Sequence, residues 1–213
     1  EEEMKSYFKE KKFGIFPRVV VSNNFRSFIK NLVQSETLGA LSFNTMFFDF
    51  DEKFKIKDIM TDALNMKKNA IILRNNSGFS EFKTIDVWWN DPKKGNFLVL
   101  LAYLISHSKR WEEDYSSIRL FKVIKNKKDY ENERAKLAYV INQSRIENIE
   151  FQVIVNKKNS MRDIMHQNSK DTDLVIMGIP DTCEGKVCQD LTTKIKDYTY
   201  VVFHMPNGKF PRA

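Results

Sequence analysis

Leu174-Val175-Ile176-Met177 is an unbroken apolar run four residues long, and its reading decides the fold. A strand with one wet face alternates apolar and polar residues, whereas a run apolar at every position suits a sheet covered on both faces. Working outward, Ser160–Asn168 has the spacing of a helix and Ile149–Val155 that of a strand. Further back come a helix from about Lys128 to Arg145, a strand over Ser117–Ile124, a helix over Asn96–Ser106 and a strand over Thr84–Trp89. Forward of the run, Lys186–Asp197 reads as a helix and Tyr200–His204 as a strand. Strands alternating with helices imply crossover connections and a mostly parallel, doubly wound α/β sheet. Residues 81–213 are therefore expected to form a complete α/β half-domain.

The first eighty residues carry the same rhythm with fewer parts. Arg18-Val19-Val20-Val21 predicts a strand. Asn23 or Asn24 can cap a helix with Phe25, Phe28, Ile29, Leu32 and Val33 on one side, ending near Gly39. Thr45–Phe50 predicts a strand, Lys57–Lys68 a helix and Ala70–Leu73 a short buried strand, closed by the turn-like Asn75-Asn76-Ser77-Gly78. Residues 1–80 thus read as the remainder of a similar half-domain whose first strands are missing, with the boundary at 80/81.

Composition excludes several classes. The chain has 213 residues, 42% hydrophobic and 13% aromatic, with 7 Gly and 5 Pro; it is neither disordered nor collagen-like. Its longest apolar run, Phe97–Ile105, has nine residues, against roughly 20 for a transmembrane helix. Glu1-Glu2-Glu3 at the start offers no signal peptide. Two cysteines, Cys183 and Cys188, cannot staple a scaffold of this size, which points to a reducing compartment. The net charge is +7, but the lysines are scattered in pairs, from Lys11-Lys12 to Lys157-Lys158. No ladder of aromatics and basic residues suggests nucleic acid, so none is expected as a partner.

A search for chemistry returns little. Pro92-Lys93-Lys94-Gly95-Asn96 is the one candidate anion loop after the strand ending at Trp89. It lacks both glycine-rich phosphate patterns and reads first as a charged surface loop. The three histidines, His107, His166 and His204, fall on different predicted elements, and Cys183 and Cys188 have no second ligand pair. No metal, cofactor or catalytic group is expected, and a non-enzymatic binding or regulatory domain is favoured. Asp86 is the most informative acid, because an unpaired carboxylate inside Ile85-Asp86-Val87-Trp88-Trp89 would be costly. Either it faces the ligand crevice at the strands' carboxyl ends, or a nearby Lys, Arg or backbone amide satisfies it; the second reading is preferred. Trp88-Trp89 reads as packing, one ring on each side of a strand.

Two stretches carry a family resemblance. Asn31-Leu32-Val33-Gln34-Ser35-Glu36-Thr37-Leu38-Gly39-Ala40-Leu41-Ser42-Phe43-Asn44-Thr45 resembles the LxQ…GLGxLxPNT region in the cytosolic C-terminal domain of cation-chloride cotransporters. Thr84-Ile85-Asp86-Val87-Trp88-Trp89, Leu98–Leu104, Ser108-Lys109-Arg110-Trp111 and Ile118-Arg119-Leu120-Phe121 are similar to that family's IDVWW…GGLxLLLxYLL…KRW…IRxF signature. The order and spacing agree, and the prokaryotic members are the nearest in pattern. Phe43 stands where the family has proline, and Gly95-Asn96 replaces a Gly-Gly pair. The motif positions that matter here are Gln34, Gly39, Asn44, Thr45, Asp86, Trp88, Trp89, Gly95, Lys109, Arg110 and Trp111.

The resemblance implies a universal-stress-protein-like fold and a parent transporter of the amino acid–polyamine–organocation superfamily, moving chloride with sodium or potassium. The chain would be its cytoplasmic regulatory and dimerisation domain at the inner membrane face, without the ion path. Its implied partners are the transmembrane domain of the same chain, a second copy, and anionic inner-leaflet lipid, which suits the positive charge. The transmembrane bundle and the missing first strands would lie upstream of Glu1. The alternative is a free-standing universal-stress-type nucleotide- or small-ligand-binding protein. Its ATP loop needs a second glycine where Ile179-Pro180-Asp181 follows Gly178, so tight ATP binding is not expected.

Overall fold

The computed structural model describes residues 1–12, 14–15, 17, 19, 21–35, 37–38, 41–42, 44–49, 62–63, 65–66, 68–74, 81–89, 92–112, 116–144, 146, 149–178 and 200–204. The chain divides into two compact units, Glu1–Ser42 and Phe43–Ala213. The boundary read near residue 80 falls inside the second unit, between two strands of one sheet.

In the first unit, α1 (Glu2–Glu10) buries none of its residues. Helix α2 (Phe25–Ser35) is capped as expected, with Asn24 Oδ1 accepting from the Ser27 N–H at 3.0 Å. It stops at Ser35, short of Gly39, because Thr37 and Leu38 leave the helix to form β1 (Thr37–Leu38). That strand pairs antiparallel with β2 (Leu41–Ser42). The strand expected over residues 18–21 is not seen at its described positions. Val19 and Val21 lie outside any strand and are exposed, Val21 almost fully at 96%. With no described strand beside them to accept their backbone hydrogen bonds, β-branched sequence alone does not make a strand.

The second unit is one seven-stranded sheet. Its strands are β3 (Thr45–Asp49), β4 (Asn69–Arg74), β5 (Thr84–Trp88), β6 (Ser117–Ile124), β7 (Ile149–Val155), β8 (Leu174–Gly178) and β9 (Tyr200–His204). Their order across the sheet is β3-β4-β9-β8-β5-β6-β7. Every neighbouring pair is parallel except β4–β9, which is antiparallel. The expected α/β class and the strand positions are therefore found to within a residue or two.

Helix α3 (Pro92–Ser106) follows β5 and begins four residues earlier than expected. Proline at the first helical position loses no intrahelical bond, and its fixed φ already suits the helix. The Pro92–Asn96 stretch is therefore the opening of a helix and not a loop. The short α4 (Lys109–Glu112) comes next. A 3₁₀ turn (Lys127–Asp129) leads into α5 (Tyr130–Ser144), and α6 (Met161–Ser169) is capped by the Ser160 hydroxyl, which accepts from the Asp163 N–H. Of the helix expected over 57–68, Asp62, Ala63 and Asn65 are helical. Met66 is a turn residue and Lys68 lies outside the helix; the rest of it, the turn at 75–78 and the helix at 186–197 lie outside the described residues.

Parity along the strands sorts the core. Ile85, Val87, Ile118, Leu120, Leu174 and Ile176 face one side and form a single cluster with Leu98, Val99 and Ala102 of α3 and Leu137 of α5. Each such aliphatic side chain, fully buried, contributes about 1.5–3 kcal/mol. Asp86, Trp88, Arg119, Phe121, Val175 and Met177 have the opposite parity. On that side α6 contributes the buried Ile164 and Met165. The strand order reverses between β5 and β8, whose following segments leave in opposite directions.

Candidate functional site

The polar and aromatic residues singled out in the sequence gather around β5, the strand at that reversal. Asp86 is fully buried. Arg119, its register partner on β6, forks onto it, with Nε donating to Oδ1 at 2.7 Å and Nη2 to Oδ2 at 2.8 Å. The Thr172 hydroxyl donates to Asp86 Oδ2 at 2.6 Å and accepts from Arg119 Nη2 at 2.7 Å. The Asn168 carbonyl lies 3.3 Å from the same guanidinium nitrogen. The carboxylate is thus matched in charge and in hydrogen bonds, which burial requires. Its partners come from the start of β6 and the segment entering β8, so it faces away from the carboxyl-end crevice.

A second carboxylate seals the same amino-terminal end. Asp173 accepts from the backbone N–H groups of Glu81, Lys83 and Thr84 and from the Thr84 hydroxyl, at 3.0–3.2 Å. In return Thr84 Oγ1 accepts from the Asp173 N–H. This reciprocal set ties the entry of β5 to the entry of β8. Just before β5, Phe82 adopts a left-handed backbone with φ 57°, rare for a bulky residue. Trp111 meets its ring edge-on at 5.3 Å, and the Arg110 guanidinium lies over it at 4.9 Å. Trp111 is buried, while Lys109 and Arg110 are exposed.

The two tryptophans part to opposite sides of the sheet, as their adjacency implies. Trp88 is fully buried, stacks on Phe121 at 4.8 Å and donates its indole N–H to Ser169 Oγ at 3.1 Å. Trp89 joins the other cluster. Its indole edge rests on Gly95 of α3, so closely that a β-carbon there would lie 2.1 Å from Nε1. Glycine is required for that approach. Among the described residues, Trp89 Nε1 is the one buried side-chain polar atom without a hydrogen-bond partner. The Trp89 ring and α5 also wall a groove of about 380 Å³ that includes Lys122, Glu133, Leu137 and Tyr139.

The remaining motif residues lie elsewhere. Asn44 and Thr45 sit at the start of β3, where the Asn44 carbonyl accepts from the Asn69 N–H at 2.8 Å and Thr45 Oγ1 accepts from Asn69 Nδ2 at 3.3 Å. Gln34 is on α2, and Gly39 lies outside the described residues. His107 and His166 are exposed on separate elements, and no group of potential metal ligands occurs among the described residues. Cys183 and Cys188 are outside them. Sequence reasoning underrated Arg119, although an arginine of matching parity in Ile118-Arg119-Leu120-Phe121 was the signal for Asp86's partner. Thr172 and Ser169 carried no signal.

The arrangement around β5 positions and locks the strands. Two consequences are measurable. Asp86→Ala leaves Arg119 without its carboxylate and should cost about 2–4 kcal/mol, read as a shift of the urea midpoint. Adding Arg119→Met to it should cost less than the two single changes summed, and strict additivity would disprove the coupling. Gly95→Ala forces the Trp89 ring aside and should cost about 1–3 kcal/mol, with an altered near-ultraviolet tryptophan signal; an unchanged midpoint and spectrum would refute the contact.

Comparison with known proteins places this geometry. The family model of Solute carrier family 12 matches residues 80–160, the span from the entry of β5 to the cap of α6. Among solved structures, the chain is similar to the cytoplasmic domain of a prokaryotic cation chloride cotransporter, at 14% identity and a TM-score of 0.69, covering 98% of this chain and 80% of that one. A universal stress protein from Archaeoglobus fulgidus DSM 4304 matches at 13% identity and a TM-score of 0.55, with 98% and 80% covered. A putative universal stress protein from Pseudomonas aeruginosa UCBPP-PA14 matches at 7% identity and 0.58, with 97% and 78% covered. Residues 80–160 therefore carry the signature of solute carrier family 12, and the chain has the universal-stress-protein-like α/β fold seen in a cation-chloride cotransporter's cytoplasmic domain.

Proposed function

We propose that this chain is a cytoplasmic regulatory and dimerisation domain of a cation-chloride cotransporter, modulating coupled movement of chloride with sodium or potassium without forming the ion path. The observation that carries the reading is the coincidence of the family match over 80–160 with the locked β5 region. The match falls on buried packing and charge pairing, and such a module can transmit force between partners without chemistry of its own. No described helix is long and apolar enough to cross a membrane. A regulatory domain acts by binding two transporter states with different affinity. Its partners in this reading are the transmembrane domain of the same polypeptide and a second copy of itself. We assign it no cofactor and no enzymatic activity, because the chain offers neither a glycine-rich phosphate loop nor a nucleophile elbow.

A basic rim supports the membrane side of the proposal. Lys125, Lys127 and Lys128 follow β6, and Lys157 and Lys158 follow β7, all exposed at the carboxyl ends of adjacent strands. Anionic headgroups attract each such lysine by about 1 kcal/mol near the surface. The rim therefore suits a domain held against the inner leaflet.

Chloride-dependent cation uptake by the parent transporter should change at least ~3-fold when Asp86→Ala unlocks the domain at constant surface expression. Unchanged uptake would refute the regulatory role. Micromolar ATP affinity in a calorimetric titration, with no effect on transport, would favour the free-standing nucleotide-binding alternative. The domain should also sediment with vesicles containing phosphatidylserine and release as salt rises. Replacing the five rim lysines by glutamine should abolish this, whereas equal binding to neutral vesicles would remove the rim from the proposal. Light scattering on the same preparation reads self-association.

A further inference from the structure

The groove between Trp89 and α5 is unused by the pairing that holds β5, and its walls have a definite chemistry. Trp89 continues β5, its backbone N–H donating to the Phe121 carbonyl at 2.8 Å, which places it next to Lys122 of β6. Lys122 has the parity of Leu120 and Ile124, so its side chain faces α5, and it is only 13% exposed. From α5 come Glu133, Lys136, Leu137 and Val140, at i, i+3, i+4 and i+7 on one side of the helix. Ala135 and Tyr139 flank that stripe, both exposed, Tyr139 at 65%.

Size and charge narrow what could lie there. A groove of about 380 Å³ has the volume of a site for one small molecule. Its middle is apolar, formed by Ala135, Leu137, Val140 and the Tyr139 ring. Trp89 Nε1 is buried against Gly95, so what a ligand meets of that indole is carbon. The charges gather about Glu133, which lies 2.6 Å from Lys136 Nζ and 3.9 Å from Lys122 Nζ. Two ammonium groups of the lining share one carboxylate. The wall therefore carries a positive charge in excess, beside an apolar trough.

We infer that this groove binds a single-chain amphiphilic anion, a fatty-acid carboxylate. Its head group lies between Lys122 and Lys136, and its chain runs along Trp89, Leu137, Val140 and Tyr139. The carboxylate supplies the counter-charge that a half-buried ammonium pair needs, and each methylene the groove buries raises affinity ~4-fold. A peptide is a poorer occupant. Its amide groups would need partners, and the backbone groups of α5 in the middle of the groove are already bonded within the helix. A cationic amphiphile would meet the excess of like charge. Neither lysine belongs to the rim at the ends of β6 and β7, so groove binding and vesicle binding are separable. The inference goes beyond the transport reading and does not depend on it.

The test is a calorimetric titration with dodecanoate below its micelle concentration, run beside dodecyltrimethylammonium and butanoate. One dodecanoate should bind per chain, at least ~10-fold more tightly than either control. From octanoate upward the affinity should climb ~4-fold per methylene and level off once the groove is full. Ala135→Trp fills the groove from an exposed position; it should keep the urea midpoint and weaken dodecanoate at least ~10-fold. Lys122→Gln combined with Lys136→Gln should erase the preference for the anion and keep the dependence on chain length. Replacing the five rim lysines by glutamine should leave dodecanoate binding unchanged. Equal affinity for the anionic and cationic chains overturns the proposal, as does binding that Ala135→Trp leaves intact. Absence of binding overturns it too, and so does an affinity that climbs with chain length without levelling, the mark of unspecific detergent uptake. Loss of binding in the rim variant overturns it as well and moves the carboxylate to the rim.

Discussion

A carboxylate in the middle of a sheet has to be matched in charge and in hydrogen bonds, and the second unit is arranged around that demand at Asp86. Three elements meet to satisfy it: Arg119 from β6, Thr172 from the approach to β8, and the Asn168 carbonyl at the end of α6. Hydrophobic burial draws these elements together but does not fix their relative slide, because apolar contacts are non-directional. A forked guanidinium–carboxylate pair is directional. It therefore sets the register of β5 against β6, while Asp173 fixes β5 against β8. The aromatic residues take their places from that register, with Trp88 on Phe121 and Trp89 on Gly95.

The family match covers this locked region, and the pattern explains why its motif residues look like packing residues. Asp86 is held by Arg119 and Thr172, Trp88 by Phe121 and Ser169, Trp89 packs against Gly95, and Trp111 meets Phe82. Lys109 and Arg110 differ, being exposed, with Arg110 lying over the Phe82 ring.

Strand positions were legible because buried parallel strands write themselves as continuous apolar runs; β6, β7 and β9 have the residues expected of them. Helix starts were less so. Pro92 begins α3 where glycine and lysine suggested a loop, since the preference of proline for the first helical position outweighs the look of the loop around it. Residues 18–21 misled for the opposite reason, as their β-branched side chains find no described strand to pair with. The partner of Asp86 was predictable in kind, a cation or amide, but its identity needed the alignment of β5 with β6. Thr172 and Ser169 were out of reach, for small hydroxyls occur everywhere and only the fold shows which of them is enclosed. The antiparallel junction of β4 with β9 left no mark on the sequence, because pairing direction is decided by chain path.

That junction has a consequence for the order of assembly. Ile72 and Val202 meet across the sheet although most of the chain lies between them, and contacts so distant in sequence form late. On a ribosome, β3 and β4 emerge early and wait, while β5, β6, β7 and β8 can gather as a unit. Only when Tyr200–His204 leaves the exit tunnel does β9 bridge the two groups, parallel to β8 on one side and antiparallel to β4 on the other. A chain that stops short of residue 200 would leave two open strand edges where the finished sheet has none, so these last residues act as the clasp on which the sheet closes.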